Sequence, residues 1–188
     1  LVLSVDGVRL NNAIFRSGNI HNVISISPVN IENTEVIMGS ASVLYGSDAI
    51  GGVMNFYTKK AKLSNDSNPN IQININSRYS SASNEKMYHI DFNYGLEKIA
   101  FLSSFSKSDF DDLTMGIHGP SDYLRPNYVI QNSAGDDILV TNSKPRVQRN
   151  TGYSQTNFMQ KVLYEPNEDL SIDIGIHFSK TGNIPRYD

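Results

Sequence analysis

The sequence predicts part of the wall of a membrane β-barrel, preceded by a compact α/β segment, and three observations lead there. From about residue 70 onward, apolar and polar residues alternate with a period of two in stretches of eight to ten residues, close to the roughly 9–11 that a tilted membrane strand needs. Aromatic residues sit at the ends of these stretches, where Tyr79, Tyr88, Tyr94 and Tyr164 bracket aliphatic or Phe centres as interfacial girdles do. The connections alternate in length: 80–86 is medium, 95–98 tight, 108–154 very long and 165–169 tight again. A soluble sandwich would produce the same alternation. A structureless connection as long as 108–154 is unusual inside a compact soluble domain, however, so the barrel fits better.

Composition narrows the function. At 188 residues the chain holds one domain or a domain and a half. A net charge of -3 argues against a nucleic-acid partner, which favours a basic face. The absence of cysteine excludes a disulfide framework, a thiolate metal site and cysteine nucleophiles. No apolar run reaches the roughly 18–20 residues of a membrane helix, which leaves barrel strands untouched because their signal is only a weak alternation. The chain opens at Leu1 within a strand pattern and closes in a loop, as a piece of a longer protein would.

Taken in order, Val2–Val5 is a short apolar strand, Asp6-Gly7 a strong hairpin signal and Val8-Arg9-Leu10 the returning arm. Residues 11–19 are polar and irregular around Arg16-Ser17-Gly18-Asn19 and suit a solvated connecting loop. Residues 22–26 fit a strand or a helical turn. Ser27-Pro28 supplies an N-cap followed by proline at the first helical position, predicting a short helix over 28–33. Residues 34–38 then form a strand ending at Gly39. Ser40 and Ser42 can each cap the single turn 42–45, Gly46 stops it, and Gly51-Gly52 turns the chain into a strand over 53–58. Gly46 to Gly51 has the glycine spacing of a phosphate loop, but Gly52-Val53 follows where Lys and Ser/Thr belong and a strand replaces the helix.

Residues 59–69 form a charged, polar linker, and the period-two pattern begins beyond it. Ile71, Ile73, Ile75 and Tyr79 mark the first strand; Tyr88, Ile90, Phe92 and Tyr94 the second; Ile99, Phe101 and Phe105 a looser third. Phe158, Val162 and Tyr164 mark a fourth, interrupted by Met159 and Gln160. Leu170, Ile172, Ile174, Ile176 and Phe178 give the cleanest, a fifth. Tight turns belong on the periplasmic side of a barrel, so 80–86, 108–154 and the residues from Lys180 onward face outside. His89, Asp91, Asp173 and His177 then point into the lumen, where charge is tolerated.

Reaction chemistry is sparse. Asp109, Asp111 and Asp112, or Asp136-Asp137, could hold calcium, but neither follows the loop pattern with its distal Glu, and a solvated acidic loop is favoured. No nucleophile elbow occurs, and the four histidines show no paired metal-site spacing, His21 included. His118, between Gly116 and Gly119 in the long outer loop, could meet an iron porphyrin axially, although an ordinary loop histidine is the simpler reading. No resident cofactor or metal is expected.

Residues 31–60 closely resemble the end of the plug domain of TonB-dependent outer-membrane receptors. The resemblance rests on Glu35-Val36-Ile37, Leu44-Tyr45-Gly46, Ala49-Ile50-Gly51-Gly52-Val53 and Thr58-Lys59. Asn33-Thr34, Met38 and Ser40 depart from the pattern. In relatives the basic residue at the position of Met38 helps lock plug to barrel. A shorter similarity covers the end, 182–188. The resemblance implies a membrane β-barrel of about 22 strands with an N-terminal α/β plug, of which 1–62 is the C-terminal part of the plug and 63–188 about five antiparallel barrel strands with outer loops. Five strands do not close, and open edges are not viable in lipid.

The implied function is non-enzymatic, TonB-dependent import of a scarce nutrient (iron-siderophore, haem or cobalamin) across the bacterial outer membrane. The implied partners are the TonB–ExbB–ExbD complex, acting through a segment upstream of Leu1, the small-molecule cargo and outer-membrane lipid. Asn12, Arg16, Ser17 and Asn19 at the plug apex, and His118 in the outer loop, are the candidate ligand contacts. The rivals are a soluble β-rich carbohydrate-binding domain or enzyme, and an adhesive outer-membrane barrel that transports nothing.

Overall fold

The computed structural model describes residues 2–10, 26–39, 49 and 51–183. The single turn expected at 42–45 and the last residues, 184–188, lie outside them. Thirteen strands occur among the described residues. Two compact units are formed, one from Leu1–Gln72, Phe92–Ser104 and Met159–His177, the other from Ile73–Asp91, Phe105–Phe158 and Phe178–Asp188.

The first unit contains a four-stranded sheet in the order β2-β1-β4-β3, with β1 Val2–Val5, β2 Val8–Arg9, β3 Ile31–Met38 and β4 Gly52–Thr58. β1 runs parallel to β4 from Val2↔Val53 to Val5↔Phe56, and β3 pairs antiparallel with β4 from Ile31↔Thr58 to Met38↔Gly52. Val2, Ala49 and Val53 are buried together, with Ile37 against them. Asp6 and Gly7 take positive φ angles of 48° and 81°, the geometry of a two-residue hairpin turn whose twist matches its strands. At Gly52, φ is 120° and an added Cβ would lie 2.5 Å from the carbonyl oxygen of Ile37, so only glycine fits the start of β4.

The helix expected over 28–33 is not there. Pro28–Asn30 makes one 3-10 turn and Ile31 already belongs to β3. Proline does open the turn, but the Lys59 amide donates to the Asn30 carbonyl at 2.9 Å and Ile31 pairs with Thr58, so sheet pairing takes the chain before a second turn can form.

The larger sheet has the order β13-β12-β7-β6-β5, with β5 Asn70–Ser80, β6 Glu85–Gly95, β7 Ile99–Phe110, β12 Tyr153–Asn167 and β13 Leu170–Thr181. Between β7 and β12 the bonds Lys98–Glu165 and Ser103–Gln160 and the stacked rings of Phe110 and Tyr153 run in opposite chain directions, which makes the pair antiparallel. The fourth strand is longer than the sequence suggested. Met159 does not break its pattern; it faces inward, 1% exposed, packed with Ala61, Ala100 and Leu102. Gln160 faces outward but spends its amide oxygen on the Ser103 hydroxyl at 2.6 Å. Gly95 lets the linker pass, since a Cβ there would lie 2.0 Å from the Lys62 carbonyl oxygen.

One face of the larger sheet is apolar and exposed, with Ile75 77%, Ile90 44%, Phe105 44% and Ile176 61% accessible. The other carries buried polar groups, among them His89, Asp91, Ser106, Gln155 and Asn157. A soluble protein would invert this arrangement; a barrel wall with lipid outside and a polar lumen requires it. In the full-length protein, Ile90→Arg should therefore cost about 2–4 kcal/mol of stability in a bilayer, whereas Thr156→Arg, near the rim, should cost about 0–1 kcal/mol. Urea midpoints measured in lipid vesicles check this, and equal costs would refute the depth assigned to Ile90.

Candidate functional site

Of the residues singled out for ligand contact, Asn12, Arg16, Ser17 and Asn19 lie outside the described residues, as does His21. His118 is described and stands exposed on the turn between β8 Leu113–Thr114 and the 3-10 turn Ser121–Tyr123.

The long connection carrying His118 is not structureless. β8 pairs with β11 Val147–Gln148, and β9 Asn127–Gln131 forms a hairpin with β10 Asp137–Thr141. Buried Asn142 ties the loop internally, donating at 2.8 Å to the carbonyls of both Arg125 and Val147. The acidic residues once considered for calcium are engaged elsewhere. Asp112 accepts from the Thr151 amide at 3.1 Å and the Gly152 amide at 3.3 Å and lies 3.4 Å from Arg149, closing the base of the loop. Asp136 and Asp137 hold the tip of the β9–β10 hairpin through Asn132 and Gln131. Among the described residues no three His, Cys, Asp or Glu side chains come together as a metal site would need.

Two polar clusters escaped the sequence reading. On the inner face, His89 lies 2.8 Å from the Ser106 hydroxyl and 3.0 Å from an Asp91 oxygen, and Asp91 also accepts from Asn74 at 2.7 Å. These are the residue types of a hydrolytic triad, yet each is at most 3% exposed, so no substrate reaches the hydroxyl. The cluster cross-braces β5, β6 and β7 instead.

The second cluster centres on Asp6, at the tip of the β1–β2 turn. Its carboxylate accepts from the Thr58 amide at 2.8 Å and the Thr58 hydroxyl at 2.6 Å. It also lies 2.9 Å from the Lys161 ammonium on β12, which is only 3% exposed, and 3.6 Å from His177 on β13. Burial pushes the Asp6 carboxyl upward, but the Thr58 and Lys161 hydrogen bonds together outweigh it and hold the group below the usual carboxylate range. A second tie joins the 3-10 turn before β3 to β7: the buried Ser104 hydroxyl donates to the Asn30 side chain at 2.6 Å. The Asp6-Gly7 signal predicted the turn and could not name Lys161. Parity along β12 was the available clue, because it places that lysine on the inner face.

Comparison with known proteins agrees with this architecture. The profile of the TonB-dependent Receptor Plug Domain matches residues 1–53. A ferric aerobactin receptor of Klebsiella pneumoniae is 47% identical over 62 residues, which is 33% of this chain and 8% of that protein. The rhizobactin receptor of Rhizobium meliloti (strain 1021) is 38% identical over 74 residues, 39% of this chain and 9% of its own length. A vitamin B12 transporter of Photobacterium profundum is 43% identical over 58 residues, 31% of this chain and 9% of its own. Among solved structures, the FrpB iron transporter from Neisseria meningitidis superposes with a TM-score of 0.64 at 16% identity, covering 96% of this chain and 24% of that one. The ferric enterobactin receptor from Pseudomonas aeruginosa gives 0.61 at 18%, covering 97% and 25%. These likenesses at low identity speak for the fold, and the matched stretch spans under a tenth of the sequence relatives named.

The Asp6 pair makes a directional prediction. Asp6→Asn strands a buried ammonium and should cost about 3–5 kcal/mol, while Lys161→Met, which removes the charge and keeps the bulk, should cost clearly less. Because the folded carboxyl titrates below its unfolded value, the stabilisation is complete above about pH 4 and fades as pH falls through the folded value. Hydrogen exchange of the Thr58 amide in the full-length protein, followed from pH 6 to pH 3, checks both. Equal protection in Asp6→Asn and wild type would refute the role given to the pair.

Proposed function

Because the chain is part of a TonB-dependent receptor of the bacterial outer membrane, we propose that the whole protein imports a scarce nutrient of the iron-siderophore class, drawing on the TonB–ExbB–ExbD complex. The observation that carries this reading is the plug match at 1–53, whose relatives include receptors named for ferric aerobactin and rhizobactin. The vitamin B12 transporters among the relatives keep a corrin as the second cargo class. In this reading residues 1–62 are the C-terminal part of the plug, and 63–188 the first barrel strands with their outer loops. What supports that division is that the small sheet ends at Thr58 and the large one starts at Asn70.

Cargo would rest between the plug apex, at Asn12, Arg16, Ser17 and Asn19, and the outer loop that carries His118. No bond of the cargo need break. Transport requires only that cargo bind the resting plug more tightly than the pulled one, because a ligand shifts an equilibrium by no more than its differential affinity. The ties from Asp6 to Lys161 and from Asn30 to Ser104 support the resting state in this scheme.

Uptake of labelled ferric aerobactin, cobalamin and haemin by cells whose sole receptor is the full-length protein tests the proposal. We expect accumulation of the ferric siderophore that disappears when TonB is deleted. Accumulation independent of TonB would overturn the import mechanism, and accumulation of cobalamin alone would overturn the cargo class. A saturable Soret shift with haemin that is lost in His118→Ala would move the cargo to haem and give His118 an axial role.

A further inference from the structure

Residues 59–69 have the composition of a polar linker, which ordinarily leaves a chain free to swing. Here that freedom ends almost at once. Through Lys59 the chain belongs to the first sheet, where the Lys59 amide donates to the Asn30 carbonyl at 2.9 Å. At Ala61, 5% exposed, it is already packed in one cluster with Ala100, Leu102 and Met159 of the larger sheet, and Leu63 lies against the same cluster. Between the two attachments lies Lys60, which is exposed.

Asn93 of β6 then does for the linker what a neighbouring strand would do. Its amide oxygen accepts from the Lys62 amide at 2.8 Å, and its amide nitrogen donates to the Lys62 carbonyl at 3.0 Å and to the Asn70 carbonyl at 3.4 Å. One side chain, 3% exposed, thereby pairs both backbone groups of Lys62. A side chain at Gly95 would strike the Lys62 carbonyl, so glycine is what permits this approach. Beyond it the Ser64 amide donates to the Leu96 carbonyl at 3.0 Å, and the Asn70 side chain to the Leu63 carbonyl at 3.0 Å. The polar residues that follow close on themselves: Asp66 accepts from the Asn68 amide at 3.0 Å, and the Ser64 hydroxyl donates to the Asn68 carbonyl.

We propose that residues 61–69 are a fixed strap of the barrel wall, and that the first sheet, when displaced, pivots at Lys60. Breaking the Asp6–Lys161 and Asn30–Ser104 ties frees the first sheet. Unseating the strap would in addition unpair both Lys62 backbone groups and open the cluster around Ala61, so the strap stays when the sheet moves. A displaced plug is thereby kept on a tether that starts at one residue, and Asn93, through Asn70, holds the start of β5 in place meanwhile. The inference rests on the division into plug and wall proposed above and moves its mechanical boundary to Lys60. It requires neither TonB nor a cargo, so it fails or stands apart from the import reading.

Single-molecule pulling on the N-terminus of the full-length protein, with its barrel held in a lipid nanodisc, tests this. At constant load the wild-type plug should extend and then pause about 30 Å short of the length at which the barrel itself begins to yield, because residues 61–69 are still seated. Asn93→Leu keeps the bulk and removes the hydrogen bonds, and should shorten the pause at least about tenfold. Asn142→Leu removes a buried amide from the outer loop instead and should leave the pause unchanged. The position of the wild-type pause decides the matter even where Asn93→Leu does not fold. Wild-type extension that runs through residue 69 without a pause, equal pauses in wild type and Asn93→Leu, or equal shortening in both variants would overturn the proposal.

Discussion

A charged group on the larger sheet, the Lys161 ammonium, has been taken almost wholly out of water, and much of this structure follows from having to satisfy it. Asp6 stands at the tip of a two-residue turn whose geometry leaves little freedom. The turn aims its partly exposed carboxylate at Thr58 and Lys161, whose hydrogen bonds favour the ionised form. Lys161 faces the stricter constraint. At 3% exposure its ammonium needs a carboxylate, and it finds one on the first sheet. The turn, the end of β4 and one position on β12 are thereby fixed against each other by one pair of charges. The parallel pairing of β1 with β4 places Phe56 beside the turn, so that its carbonyl accepts from the Asp6 amide at 2.9 Å.

The inner face of the larger sheet applies the same rule many times with neutral partners. Asn93 exchanges two bonds with the Lys62 backbone, Ser104 meets Asn30, and Gln155 bonds both Ser179 and Thr181. Each of these side chains has its partner on another segment of the chain, which lets that part of the face be polar and still closed. The outward face needs little such pairing because its side chains are mostly apolar; Ser103 and Gln160 are polar there and, since lipid offers no hydrogen bonds, satisfy one another.

The legible parts of the fold were those with a local signal. Period two located β5, β6 and β13, and Asp6-Gly7 located the hairpin. Where long-range pairing decided, the local signal misled. Proline at position 28 announced a helix that pairing of Ile31 with Thr58 cut to one turn. Met159 looked like a flaw in β12 because its partners, Ala61, Ala100 and Leu102, are far away in sequence. Strands of two residues, such as β8 and β11, carry no period at all, so the long connection read as featureless. The resemblance to a plug was legible from thirty consecutive residues, 31–60, but the lysine that meets the first sheet was not, since its partner is fixed only once both sheets are formed.

Met38 shows how the attachment is arranged in this chain. The resembling plugs carry a basic residue at that position; here Met38 is 89% exposed and has no charge to offer. Attachment of the first sheet to the wall does not depend on it, because Asp6 with Lys161 and Asn30 with Ser104 supply one ionic and one neutral tie. The two ties differ in how they fail. A neutral hydrogen bond exchanged for water changes the free energy little. Separating the ion pair leaves the Lys161 ammonium, 3% exposed, without its carboxylate, so that tie is the costlier one to break. Displacement of the first sheet would accordingly be resisted mainly by the Asp6 pair, with the Asn30 bond adding a smaller share.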